Sequence, residues 1–246
     1  VEVDASETMA LEIALSKAAA EGQMPSFGHP GARAGYTVQH LASRVAHVAD
    51  LLHLGHCTSL GAPRWLSTAL IRLFLQTPNL RAASLGGGPG FDFLALVMTA
   101  SYLGGGGDNG AAVDVAVYDY EHGWRDCAGA LSDAVQQRFG PQHTSSFGRC
   151  DLTVPLRAPV NAALRASLDS TSLFVCAHTV AENAVALRAA KFVFFRELFR
   201  WARPGSVFVL TEATHRQWPE IIEAAFWGPG ADHANGSFDV MFPRIT

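Results

Sequence analysis

From Leu80 onward the chain alternates short apolar runs of strand length with segments of helical length, and that alternation leaves few folds open. Strands are expected near 81–86, 112–119, 146–150, 172–178, 206–212 and 238–243, with helices near 91–103, 124–139, 161–169, 184–202 and 215–227. Helical crossovers of one hand make successive strands parallel, so the pattern implies an α/β fold: an open, mostly parallel twisted sheet with helices on both faces. The helical pattern of 184–202 is the most regular. Phe192, Phe195, Phe199 and Ala202 share one face, Phe194, Leu198 and Trp201 widen it, and Pro204-Gly205 ends it. Ligands of such sheets bind beyond the carboxyl ends of the strands, where the strand order reverses. Chemistry is therefore expected in the loops that follow the strands.

The preceding residues have a different character. Val38, Leu41, Val45, Val48 and Leu52 recur at i, i+3, i+7, i+10 and i+14, the stripe of an amphipathic helix. A second helix is expected over Arg64–Gln76, separated from the first by Gly55, Gly61 and Pro63. The stretch from Pro25 to Gly35, with its glycines and prolines, is expected to run over the surface. Residues 1–79 thus form an N-terminal helical cap and 80–246 the α/β domain. With 246 residues, 49% hydrophobic and 16% charged, the chain can bury a sizeable core, which excludes disorder. The apolar runs are too interrupted for a spanning helix, so no membrane partner is expected. A net charge of −4 offers phosphate backbones no general attraction, so nucleic acid is not favoured as a partner. Cys57, Cys127, Cys150 and Cys176 lie far apart without a CxxC pair, which fits a reducing compartment rather than a disulfide framework or zinc knuckle. With Glu2, Asp4 and Glu7 at the start instead of a targeting signal, an intracellular, cytoplasmic location is expected.

The segment Ser84-Leu85-Gly86-Gly87-Gly88-Pro89-Gly90-Phe91-Asp92 follows a strand pattern and opens a helix pattern. Its glycines allow a tight turn and close approach of bare backbone to a ligand. A dinucleotide fingerprint starting at Gly86 would need glycine where Phe91 stands, which counts against a nicotinamide enzyme. A P-loop would need Gly-Lys-Ser/Thr after the glycines. What remains is G-x-G-x-G, in which Pro89 removes an amide that a phosphate nest would use.

This loop resembles that of the class I S-adenosylmethionine-dependent methyltransferases, whose first strand commonly ends in an acidic residue followed by Leu-Gly-x-Gly-x-Gly. The likeness extends over roughly 80–227. It implies a Rossmann-like fold, S-adenosyl-L-methionine as cofactor, and cofactor contacts from Gly86, Gly87, Gly88 and Gly90. The usual acid for the amino-acid part of the cofactor is replaced by Ser84, and Asp92 is the candidate substitute. After the second strand, Asp119 is expected to hold the ribose hydroxyls, with Glu121 as runner-up, while Tyr120 and Trp124 are placed to flank the adenine. After the third, the resemblance assigns Asp151 to the adenine amino group and Leu152 to the ring. Arg203-Pro204-Gly205 matches the Pro-Gly turn before the fifth strand.

Methyl transfer is an in-line displacement, so positioning supplies much of the rate, and a base is needed only when the acceptor carries a proton of high pKa. His178, after the fourth strand and also beside the cofactor, is the candidate base; Glu182 would assist or hold a cation. Asn183, Glu212 and Tyr36 are candidates for contacting the acceptor, and His215 lies near Glu212. The 178–183 segment lacks the Asn/Asp-Pro-Pro-Tyr/Phe signature of enzymes that methylate nucleobase amines. His40, Arg44 and His47 share one helical stripe; the central arginine argues against a metal there, and a solvated polar face is expected, so no metal is assigned. The sequence therefore points to methyl transfer onto a small molecule or a protein, with an RNA methyltransferase or an inactive cofactor-binding sensor or scaffold as alternatives. Oligomeric state is left open.

Overall fold

The computed structural model describes residues 2–21, 26–60, 62–105, 110–212 and 218–226. Among these, five strands form one sheet: β1 (Asn79–Leu85), β2 (Ala112–Asp119), β3 (Thr144–Arg149), β4 (Leu173–Ala177) and β5 (Val207–Thr211). Every pairing is parallel and the order is β3-β2-β1-β4-β5. This is the doubly wound order, with its switch point between β1 and β4. Strand alternation divides the side chains between two cores. Leu80, Ala82, Val113, Val115, Val117, Leu173 and Val175 pack on α4 (Phe91–Leu103) and α5 (Trp124–Phe139). Ala83, Leu85, Tyr118, Phe174 and Cys176 face α6 (Ala162–Ser167), α7 (Ala184–Ala189), α8 (Val193–Trp201) and α9 (Trp218–Phe226). The expected open sheet with helices on both faces is the observed one. The expected strand at 238–243, and His215, lie outside the described residues.

The N-terminal helices extend the first core. α1 (Ala5–Glu21) packs on α2 (Pro30–His56), and α2 packs on α4; α3 (Arg64–Ile71) continues into a π-helical turn at Arg72–Gln76 that delivers Leu73 and Phe74 to the same core. Of the expected stripe, Val45, Val48 and Leu52 are buried, but Val38 is 72% exposed; toward its N-terminus α2 contributes Ala32 and Tyr36 to the core instead. Residues 30–35 do not wander over the surface. Pro30 starts the helix, where a missing N–H costs nothing, and the His29 ring accepts the Ala32 N–H at 3.3 Å. Gly31 and Gly35 act there as close-packing surfaces for α1: a Cβ at Gly31 would lie 2.7 Å from Asp4 Cβ, and one at Gly35 would strike Thr8. We expect Gly35→Val to force the two helices apart and cost about 1–3 kcal/mol, read as a lower urea midpoint with an unchanged slope.

The helix expected over 184–202 is broken in two. Lys191 and Phe192 take left-handed φ values of 53° and 52°, and the Phe192 N–H reaches back to the Leu187 carbonyl at 2.8 Å. That six-to-one bond, with Phe192 and Leu187 buried in the same core, is a Schellman ending made without glycine. Burial of the Phe192 ring offsets the left-handed backbone. Beyond the break, Phe194, Phe195, Leu198 and Phe199 are buried, whereas Trp201 is exposed and belongs to no core.

Candidate functional site

A cleft lies over the carboxyl ends of β1 to β4, at the switch point. Its floor is the glycine loop. The Gly86 and Gly87 N–H groups both donate to the Tyr118 carbonyl, at 2.8 and 3.1 Å, which folds the loop back over the end of β2. Gly86, Gly88 and Gly90 all have positive φ, at 65°, 48° and 90°. A Cβ at Gly86 would collide with Thr179, so this turn admits no other residue without rearrangement. The Gly88 N–H donates to Asp119 Oδ2 at 3.0 Å, joining the loop to the acid at the end of β2. Trp124 packs beside Gly88.

Two acids are buried beside this loop. Ser84 Oγ donates to Asp92 Oδ2 at 2.6 Å, so the serine at the end of β1 supports Asp92 from below. Burial pushes the Asp92 carboxyl up to about 6, against the pull of Ser84 and Arg44. Asp119 accepts from Gly88 on one oxygen and from Glu121 on the other, at 2.9 Å. Burial raises it to about 6 as well, although those amides favour its charged form. The Tyr120 amide favours the charged form of Asp119 as well, and since a carboxylate has about four acceptor positions, the three amides still leave room for a ligand donor. Glu121 is instead turned onto the Gly123 N–H at 2.9 Å and does not line the cleft.

Asp151 and Leu152 line the far side. Asp151 Oδ1 accepts both the N–H and the hydroxyl of Thr153, at 2.8 and 2.6 Å, and its own N–H donates to Asn161, so it organises a turn at this edge. Tyr120 also lines the cleft; burial, then Asp119 and Glu121, keep its phenol protonated. On the β4 side, His178 has a left-handed φ of 58°, a conformation that costs a non-glycine residue on the order of 1–3 kcal/mol and is concentrated at functional sites. Its Nε2 lies 3.1 Å from His47 Nδ1 on α2. Asn183 lines the cleft while its amide donates to the Thr179 carbonyl at 2.8 Å. Glu212 does not reach the cleft lining. Its carboxylate accepts backbone N–H groups of the 179–181 loop, and burial raises it to about 7 in spite of them. Glu212 therefore holds the loop that carries His178 and Glu182.

The roof comes from the N-terminal helices. Tyr36 rests between Phe27, Phe91 and Trp124, with ring centroids 6.1, 6.4 and 5.6 Å away. Buried Arg33 fixes Phe27 by donating to the carbonyls of Phe27 and Gly28. Of the stripe read as solvated, His47 is exposed and its ring meets His178, while His40 binds Glu12 of α1 at 2.7 Å and Arg44 lines the cleft. Arg44 hydrogen-bonds the Tyr36 side chain, while its Nη1 is buried with no hydrogen-bond partner among the described residues. Glu182, facing it, is pushed up to about 8 by burial and by Glu212, Asp119 and Glu12, against the pull of Arg44. Tyr36, His40 and Arg44 stand at i, i+4 and i+8, so the sequence did carry a signal for one interior polar stripe. Phe27 had none, since it lies before the helix and outside any strand.

Among the described residues no helix is long and apolar enough to cross a membrane, no group of three or more His, Cys, Asp or Glu residues could hold a metal, and the four cysteines are unpaired. No family model matches the chain, and no curated protein matches it. Among solved structures it is similar to a protein from Listeria monocytogenes described as a "putative class I S-adenosylmethionine-dependent methyltransferase", at 14% identity and a TM-score of 0.34. The match covers 82% of this chain and 65% of that one, so the chain spans less than two thirds of that protein's length.

Proposed function

We propose that the chain is an S-adenosylmethionine-dependent methyltransferase acting on a small molecule or a protein side chain. The observation that carries this reading is the join between the glycine loop and Asp119 at the switch point, where the Gly88 N–H meets the carboxylate at 3.0 Å. The cleft suits a nucleoside whose other end is positively charged. Gly86 leaves a cradle without side chains, Asp119 retains acceptor capacity for sugar hydroxyls, and the carboxyls of Asp92, Asp119 and Glu182 are all raised by burial. Burial is what raises them, and a sulfonium bound beside them would favour their ionised forms. When bound, S-adenosylmethionine contributes a methyl group activated by that sulfonium.

The protein's own groups divide the remaining work. Asp119 holds the sugar, and Tyr120, Asp151 and Leu152 surround the base. Tyr36, roofed by Phe27, limits access of water from the α2 side. Asn183 and the β4 loop orient the acceptor, and Glu212 fixes that loop. His178 takes the proton of an acceptor hydroxyl or amine, held in place by His47 and by the Thr211 carbonyl, which accepts the His178 N–H at 2.7 Å. The test is calorimetric titration with S-adenosylmethionine and S-adenosylhomocysteine, with nicotinamide dinucleotides as controls. Asp119→Ala is expected to weaken both adenosyl ligands by about 1–3 kcal/mol, since it removes charged hydrogen bonds to the sugar. Undiminished affinity would reject the ribose assignment.

A further inference from the structure

We infer that His47 of α2 is a proton relay between the cleft and water, taking the Nε2 proton of His178 while His178 receives the proton of an acceptor at Nδ1. The inference rests on the proposed role of His178 as base and adds where the proton goes. His178 lines the cleft and is half-buried, whereas His47 lies outside the cleft lining and is exposed. The two ring centroids are 5.0 Å apart, and His178 Nε2 lies 3.1 Å from His47 Nδ1. A neutral imidazole carries one N–H and one lone pair, so two ring nitrogens at that distance share a single hydrogen; two lone pairs or two N–H groups would repel. Thr211 Oγ1 stands 3.4 Å from the same His178 Nε2. That nitrogen is engaged, while none of the described residues hydrogen-bonds His178 Nδ1. The left-handed backbone of His178 and the bond from its N–H to the Thr211 carbonyl hold the ring in this contact.

The base atom must hold a lone pair, which fixes the tautomers: His178 carries its hydrogen on Nε2 and donates it to His47 Nδ1, so His47 carries its own on Nε2. In the transfer, the acceptor O–H or N–H bond breaks and leaves its electron pair on the acceptor atom, and the proton joins His178 Nδ1. The Nε2 proton of His178 passes to His47 Nδ1, and His47 gives its Nε2 proton to water. Both rings then carry hydrogen on Nδ1 and return to the starting form by exchange with water after the product leaves. The pair holds one positive charge in transit. Glu182, Asp92 and Asp119 on the cleft lining favour that charge, as does Glu212 behind the loop, while Arg44 on the same lining opposes it. Asp50 lies one turn along α2 from His47 and favours it as well.

Nitrogen NMR of the histidine-labelled wild type at about pH 8, where imidazoles are ordinarily neutral, tests this with neither acceptor nor cofactor present. Both rings are expected as the Nε2–H tautomer, with nitrogen–nitrogen coupling across the bond from His178 Nε2 to His47 Nδ1. His178 protonated on Nδ1, or no coupling between the rings, would overturn the relay. The second measurement is exchange of the His178 Nε2 proton with water in His47→Gln. The glutamine oxygen can still accept the hydrogen bond but cannot pass a proton on. A positioned acid–base group contributes about 10²–10⁴-fold to proton transfer, so exchange is expected to slow by at least about 10-fold while the His178 tautomer is kept. Exchange at the wild-type rate would show that His47 only supports the ring, and would overturn the relay. Adenosyl binding by calorimetry without these signatures removes the relay alone. The signatures without adenosyl binding leave the relay standing and remove the methyl-transfer reading.

Discussion

Replacing Gly86 by valine is expected to abolish ligand binding and to destabilise the chain by about 2–5 kcal/mol. Two costs combine. The residue sits at φ 65°, where a β-branched side chain pays roughly 1–2 kcal/mol, and its Cβ would collide with Thr179, an overpacking of about 1–3 kcal/mol. Relief would require moving the Thr179 segment, which carries His178 and Glu182. It would also disturb the hydrogen bonds that hold the loop on β2. Chemical denaturation measures the stability loss and calorimetry the binding. A variant with native midpoint and native S-adenosylhomocysteine affinity would show that the loop is an ordinary turn. Gly105, also at positive φ but with nothing within 4 Å of the Cβ that alanine would add, is the control: its alanine variant pays only the backbone cost.

The ligand-free protein is expected to lose stability as pH rises from 5 to 8.5, the reverse of the usual behaviour of carboxylate-rich folds. Asp92 and Asp119 are held near 6, Glu212 near 7 and Glu182 near 8, each above its ordinary value because burial disfavours the charge. The folded chain therefore binds more protons than the unfolded chain between about pH 4 and 8, and stability falls over that window. A single carboxyl raised by two units costs about 2.7 kcal/mol once both states are ionised. A combined loss of at least about 3 kcal/mol, equivalent to roughly 6–12 °C in Tm, is expected. S-adenosylhomocysteine at a fixed concentration, about 100 times its Kd at pH 5, is expected to stabilise the chain by about 2.7 kcal/mol there and by more at pH 8.5, because its ammonium favours ionised carboxylates. Equal stability at the two pH values would remove the charge argument for a cationic ligand.

Much of the α/β half was legible. Each of the first five expected strands lies within two residues of an observed one; β1, β2 and β4 show why, since buried parallel strands are apolar runs bounded by turn residues, whereas the polar, half-exposed β3 lacks that signal. The glycine loop and Asp119 were legible for the same local reason: both sit at the junction of a strand pattern with a helix pattern. The N-terminal region was read less well. Gly31 and Gly35 look like chain breakers in isolation, and their use as contact surfaces depends on Asp4, just before α1, and on Thr8 within it. The 184–202 segment carries an unbroken helical pattern, yet its ending at Lys191 and Phe192 is decided by where the Phe192 ring finds a core.

Period and turn chemistry, both local properties, determined the class of sheet, the direction of its strands and the loops in which a ligand would lie. Tertiary packing alone decided which charged groups face one another. Arg44 and Glu182 are 138 positions apart, and a polar residue on a helix carries no mark of whether water or a cleft lies opposite. Burial then changes what each group is: the same glutamate that stops a strand pattern becomes, in Glu212, a clamp on a loop and, in Glu182, a carboxyl near 8. Desolvation depends on the whole surrounding fold and so cannot be read from neighbours along the chain.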